Sequence, residues 1–138
     1  MKEEKIEIKK LNNNAIIPTY GSIDAAGADL YACIDNSETI LPHETKLIKT
    51  GLAIAIPKGL VGLVFARSGL ASKRGLAPAN KVGVIDADYR GEIMVALHNH
   101  TITSQTMAAK PFQPTPPRKM TLSTSVLHCL PPRSTTAS

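Results

Sequence analysis

Tryptophan is absent, and three Tyr and two Phe are the only aromatic residues among 138, or 4 % of the chain. Sequence-tolerant binders of single-stranded nucleic acid stack bases on aromatic side chains, and here there is little to stack them on. Two cysteines, Cys33 and Cys129, are too few for a disulfide framework. No apolar run approaches the roughly 18 residues that cross a bilayer as a helix, so no membrane partner is expected. Residues 1–10 (MKEEKIEIKK) are charged and lack the apolar stretch of a secretory signal. The cytoplasm is the expected compartment.

Acidic charge is missing from one end. Residues 101–138 hold Lys110, Arg118, Lys119 and Arg133 and no Asp or Glu. The formal charge of +5 therefore describes a basic tail on a near-neutral body. No specific nucleic-acid partner is expected from it. Glycine is missing from the same end: all nine glycines lie between Gly21 and Gly91. Six of the ten prolines lie between Pro111 and Pro132, among many Ser and Thr. The expected organisation is a domain over 1–107 and a Pro/Ser/Thr-rich basic tail, expected to be disordered, over 108–138.

The body reads as all-β. Ile6 and Ile8 alternate with charges, Ala28–Ile34 follows Gly27, and Leu47–Ile56 ends at Pro57. Leu60–Ala66 is a glycine-interrupted apolar run, and Val82–Ile85 and Ile93–Leu97 flank the turn DADYRG as an expected hairpin. Short runs separated by Gly, Pro, Asn and Asp suggest a sandwich or closed barrel. Gly69–Gly75 reads as one short helical turn. Tyr20, Phe65 and Phe112 read as packing residues.

Three segments carry possible chemistry. Asp29 follows Ala25-Ala26-Gly27-Ala28, small residues that permit close approach. Its carboxylate could hold a hydrated Mg²⁺, although read alone the segment favours an outward-facing strand Asp. Arg67-Ser68-Gly69 joins a planar cationic fork, a hydroxyl and a glycine, which suits phosphate oxygens or a basic surface loop. Within Asn80 to Ile93, two apolar strands flank a turn that holds two carboxylates, Tyr89 and Arg90. There Asp86 could act as a general base on water, and Tyr89 could pack on a ring. Asp and Gly also belong in turns without further function. His98 and His100 share a strand face but have no evident third ligand, and read as a solvated strand end.

The ordered segments AAGADLYA, ARSGLA and NKVGVIDADYRGEI, with TGLAIAIPKG and VALHN, resemble the trimeric dUTP diphosphatases, or dUTPases. The resemblance runs from about Ile6 to His100 and implies a homotrimer of distorted jelly-roll β-barrels with active sites between subunits. It implies hydrolysis of dUTP to dUMP and diphosphate, with Mg²⁺ on the phosphates. Asp29 matches the carboxylate that holds the metal through water. Arg67, Ser68 and Gly69 match the phosphate-contacting motif. Asn80 and the backbone at Val84 and Ile85 match the uracil-reading segment. Asp86 matches the carboxylate that orients the attacking water, Tyr89 the aromatic residue against deoxyribose, and Met94 a substrate-lining position. Ser104–Met107 still resembles the approach to the family's fourth motif. Ala108-Ala109-Lys110-Pro111 replaces that motif, and the glycine-free tail lacks the fifth, a glycine-rich arm. These departures leave a non-catalytic nucleotide-binding relative as the alternative. A dCTP deaminase of the same fold is disfavoured by the GVIDADYRG form.

Overall fold

A computed structural model of the chain describes residues 5–109. The expected disorder of 108–138 falls, beyond Ala109, outside the described residues. So do Phe112 and Cys129.

The order is β1 (Glu7–Lys10), β2 (Thr19–Tyr20), β3 (Ala28–Asp29), β4 (Glu38–Ile40), β5 (Thr45–Ala55) and β6 (Gly62–Val64). Then come α1 (Ser68–Arg74), β7 (Leu76–Pro78), β8 (Gly83–Ile85), β9 (Glu92–Asn99) and β10 (Gln105–Met107). The architecture is all-β with one short helix. A four-stranded sheet runs β1-β5-β9-β7, and the other described strands form three two-stranded pairs, β10-β4, β2-β3 and β6-β8. No described helix is long and apolar enough to cross a membrane.

Alternation explains the central pair. In β9, Ile93, Val95, Leu97 and Asn99 are buried while Met94 is exposed. In β5, Ile48, Thr50, Leu52 and Ile54 point inward. The period of two places one face of each strand on the core. That core joins Ile40, Ile48, Leu52, Ile56, Leu76 and Leu97, each nearly inaccessible to solvent.

The pairing of β5 with β9 contains a wide irregularity. Lys49 faces Met94 and Ala53 faces Glu92, so four steps along β5 match two along β9. Two surplus residues keep the inward phase, because side-chain direction repeats every two. Such a bulge strands backbone polar groups, and side chains take them up. The Thr50 hydroxyl donates to the Ile93 carbonyl at 2.6 Å, and the Gly51 N–H donates to Glu92 Oε1 at 2.9 Å. Gly51 is required twice over. Its φ is +68°, and a Cβ there would stand 2.8 Å from the Ala15 methyl and 3.0 Å from Cys33 Sγ.

Several expectations need correction. The apolar runs flanking DADYRG do not form a hairpin: β8 pairs with β6, whereas β9 pairs with β5 and β7. A two-residue turn would hold adjacent strands in one ladder. The longer link here is an arch that carries the chain between sheets. The strand expected over Ala28–Ile34 is confined to Ala28–Asp29, and the run expected over Leu60–Ala66 to Gly62–Val64. Leu30 and Tyr31 are nonetheless buried, and the Cys33 N–H donates to the Lys49 carbonyl at 2.8 Å. Burial, this bond and the hydrogen bond between the Tyr31 and Thr19 hydroxyls hold the segment without a continuous ladder. Tyr20 is 66 % exposed rather than packed, because it lies on a two-residue strand paired on one side only. The expected helical turn is present as α1, closed by Gly75 at φ +62°.

Candidate active site

An open cleft of about 260 Å³ lies between β8, β9 and the arch that joins them. Asn80, Val84, Ile85, Asp86, Tyr89 and Met94 line it. These are six of the residues singled out in the sequence, and the topology explains why they meet. Ala79 donates its N–H to the Ala96 carbonyl at 2.7 Å, which ties the residue before Asn80 to β9. Lys81 then takes a left-handed conformation at φ +66° and turns the chain into β8. Within β8, a Cβ at Gly83 would lie 3.7 Å from Asn80 Nδ2, so the amide stands beside that strand. Since β8 ladders only with β6 among the described residues, the groups on its other edge are outside any ladder. Backbone donors and acceptors fixed in this way suit the edge of a planar base.

The arch is tied at several points. The Tyr89 N–H donates to the Asp86 carbonyl at 3.1 Å. Arg90 Nη1 donates to the Ala87 carbonyl at 2.7 Å and to the Tyr89 carbonyl at 2.9 Å. The Tyr89 hydroxyl donates to the Glu92 carbonyl at 2.9 Å. Asp86 thus presents an exposed carboxylate on a constrained backbone, the arrangement needed to aim a water molecule.

Glu92 also lines the cleft, and the sequence reading gave it no role. Its signal lay in the register: it faces the bulged stretch of β5, where an acceptor is needed for the Gly51 N–H. The cleft lining contains Asp86 and Glu92 and no Lys or Arg.

The remaining candidates lie apart. Asp29 is buried in β3, opposite Thr19 of β2. Arg67 precedes α1, which begins at Ser68 and Gly69, and nothing lies within 4 Å of a Cβ built at Gly69. None of these four lines the cleft of its own chain. The His98 and His100 rings meet edge to face at 4.5 Å, and His98 Nδ1 shares a 2.8 Å hydrogen bond with the Thr45 hydroxyl. Desolvation, then His98, Lys81 and His43, hold the His100 ring below the ordinary imidazole range. Burial, then Asp35 and Glu92, push the Cys33 thiol up. No group of three or more His, Cys, Asp or Glu is placed to cage a metal among the described residues.

A family model described as dUTPase matches residues 13–110. The deoxyuridine 5'-triphosphate nucleotidohydrolase of Wolbachia pipientis subsp. Culex pipiens (strain wPip) is 50 % identical over 97 residues, covering 69 % of this chain and 63 % of that protein. The protein of the same name from Desulfitobacterium hafniense (strain Y51) is 60 % identical over 84 residues, covering 60 % and 56 %. Among solved structures, the dUTPase from phage phi11 of S. aureus superposes with a TM-score of 0.66 at 33 % identity, covering 72 % of this chain and 62 % of that one. A mutant of that phage enzyme, with a TM-score of 0.65 at 33 % identity and coverages of 72 % and 62 %, reveals the coordination of a structural Mg(II) ion. The chain therefore spans 56–63 % of the length of these two relatives.

Proposed function

The chain belongs to the dUTPase family, and on that premise we propose that it hydrolyses dUTP to dUMP and diphosphate in the cytoplasm. The observation that carries the reading is the convergence of Asn80, the β8 edge, Asp86 and Tyr89 on one cleft. Asn80 and the backbone of Val84 and Ile85 bond the uracil edge. A site built to bond that edge rejects cytosine by leaving buried groups unpaired. Tyr89 packs on deoxyribose and excludes a 2′-hydroxyl, while Met94 lines the substrate.

Formation of dUMP and diphosphate requires water to attack the α-phosphorus as its bond to the bridging oxygen breaks. Asp86 orients that water and accepts its proton, and diphosphate departs. Water is a weak nucleophile, and positioning by a carboxylate supplies both direction and a base.

The triphosphate needs positive charge, which the cleft lining does not contain. Arg67, Ser68 and Gly69 supply phosphate contacts across a contact between copies, and the assembly is a homotrimer. Mg²⁺ fits the donor set. Mg²⁺ retains water readily, so the Asp29 carboxylate would hold it through water without a protein cage. When bound, the metal neutralises phosphate charge.

Single-turnover hydrolysis of dUTP by the 138-residue chain tests this reading. Asp86→Asn should lower the rate roughly 10²–10⁴-fold with nucleotide affinity largely kept. Unchanged turnover in the variant would remove Asp86 from the mechanism. Binding of nucleotide without any turnover in the parent chain would replace the hydrolase by a nucleotide-binding relative.

A further inference from the structure

Glycine stands at 91 for space rather than for conformation. The described glycines with positive φ are Gly51, Gly59 and Gly75, so the Gly91 backbone is open to any residue. Space is another matter. A Cβ on Gly91 would lie 2.6 Å from the Tyr89 hydroxyl oxygen, 2.8 Å from Cζ and 3.2 Å from Cε2. Carbon contacts settle near 3.5–4.0 Å, so the ring would have to move by the better part of an ångström. It sits where it does because Gly91 leaves the volume empty and because the hydroxyl is anchored on the Glu92 carbonyl at 2.9 Å.

We infer that Gly91 is a positioning residue for nucleotide selection: with the Glu92 carbonyl, it forms the seat that fixes the angle of the Tyr89 ring over the cleft. This rests on the reading of Tyr89 as the group against the sugar. Tyr89 is 42 % exposed, so the core does not enclose the ring, and the Glu92 anchor and the gap at Gly91 bear on its angle. A ring displaced by about 1 Å no longer closes the space that a 2′-hydroxyl would occupy. Misplacements of that size away from the chemistry can change function up to roughly 10²-fold.

The test is a double-mutant cycle read by calorimetric binding of α,β-imido-dUTP and α,β-imido-UTP to the full chain, with thermal unfolding measured alongside. The parent chain should prefer the deoxy analogue. Tyr89→Ala should abolish most of that preference, and Gly91→Ala should lower it about tenfold. Tyr89→Phe, which removes only the anchor, should lower it less. In the Tyr89→Ala background, Gly91→Ala should have no further effect, because residues that act through one another are non-additive. Should Gly91→Ala alone fail to fold, the double variant should fold, since the ring that clashes is gone.

Two failures are distinguishable. If the parent shows no preference, or Tyr89→Ala leaves it intact, the reading of Tyr89 falls and the inference falls with it. If Tyr89→Ala abolishes the preference but Gly91→Ala does not lower it, or acts equally with and without the ring, the seat is refuted while the sugar contact stands. A double variant as unfolded as Gly91→Ala alone also refutes the seat.

Discussion

Asn99 ends β9 with a fully buried side chain, and its replacement by alanine should be among the most destabilising substitutions outside the apolar core. Its Nδ2 donates to the Ile40 carbonyl at 3.0 Å and to the Thr103 carbonyl at 2.8 Å. Its Oδ1 accepts from the Thr101 N–H at 2.9 Å and the Thr101 hydroxyl at 2.7 Å. One amide thus ties β4, β9 and the loop before β10. The Thr101 hydroxyl has one proton, which can turn to the Thr103 carbonyl, so three net hydrogen bonds at about 1 kcal/mol each set the base of the estimate. The Thr103 carbonyl keeps the Thr101 hydroxyl at 2.9 Å. The Ile40 carbonyl and the Thr101 N–H lose a partner, each at about 1–3 kcal/mol if water cannot reach it. The loop side is partly open, so the loss should be about 3–4 kcal/mol. The backbone bonds of residue 99 with Glu44 and His43 survive in the variant, which isolates the side chain. Urea unfolding at fixed protein concentration is the assay. With a slope near 2 kcal/mol/M, the midpoint should fall by about 1.5–2 M with the slope unchanged. Asn99→Asp sharpens the test. It keeps an acceptor, loses both donors and sets a carboxylate against two carbonyls. It should be no better than alanine at neutral pH and should recover as acid protonates it. A loss below about 1 kcal/mol for Asn99→Ala would refute the brace, because one net hydrogen bond would account for it.

Gly75→Ala should lose at least about 2 kcal/mol in the same assay, from an L-residue forced into left-handed geometry and a clash with the Thr101 methyl; a neutral effect would mean that the cap relaxes freely. The His100 ring is held below the ordinary imidazole range in the folded chain, so the unfolded chain takes up the proton more readily. Stability should therefore fall as pH drops through the ordinary 6.5 toward the lowered value and be unaffected above it. His100→Asn should flatten that part of the stability–pH curve, and an unchanged curve would assign the slope to other groups.

The parts of the fold legible from sequence are those where local pattern and tertiary role agree. Alternation gave β5 and β9 their buried faces, and Gly75 gave α1 its end. The arch was not legible, because a turn between two apolar runs has the same local signature whether the runs pair with each other or with different sheets. Partner choice is decided by residues distant in sequence, here Leu63 opposite Val84 and Lys49 opposite Met94. Glu92 was overlooked for a related reason. Its duty is to a bulge on another strand, and a bulge has no signature until register is known. Tyr20 misled because aromatic identity alone suggests burial. All six cleft residues lie within one stretch, Asn80 to Met94, which the resemblance to a known family had marked and which folds back on itself.

The four candidates outside the cleft lead to the sharpest question about assembly. A nucleoside triphosphate carries several negative charges, yet the cleft lining offers the carboxylates of Asp86 and Glu92 and no Lys or Arg. Two carboxylates beside a triphosphate repel it, and screening over a Debye length of about 8 Å removes only part of that cost. On the proposed reading, cations would have to approach from outside the lining. Arg67 is half-buried at the start of α1 and outside the cleft of its own chain. If it serves a neighbour's cleft, Asp86 and Arg67 of one working site belong to different copies. Co-expression of an Asp86→Asn chain with an Arg67→Ala chain should then restore hydrolysis that neither has alone. At equal mixing, about one site in four would combine an intact Asp86 with an intact Arg67 from different copies, so roughly a quarter of parental activity is expected. If both residues served one cleft within a single copy, no mixture could combine them, and activity would stay at the level of the two inactive parents. That result would refute the shared site while leaving the role of Asp86 intact.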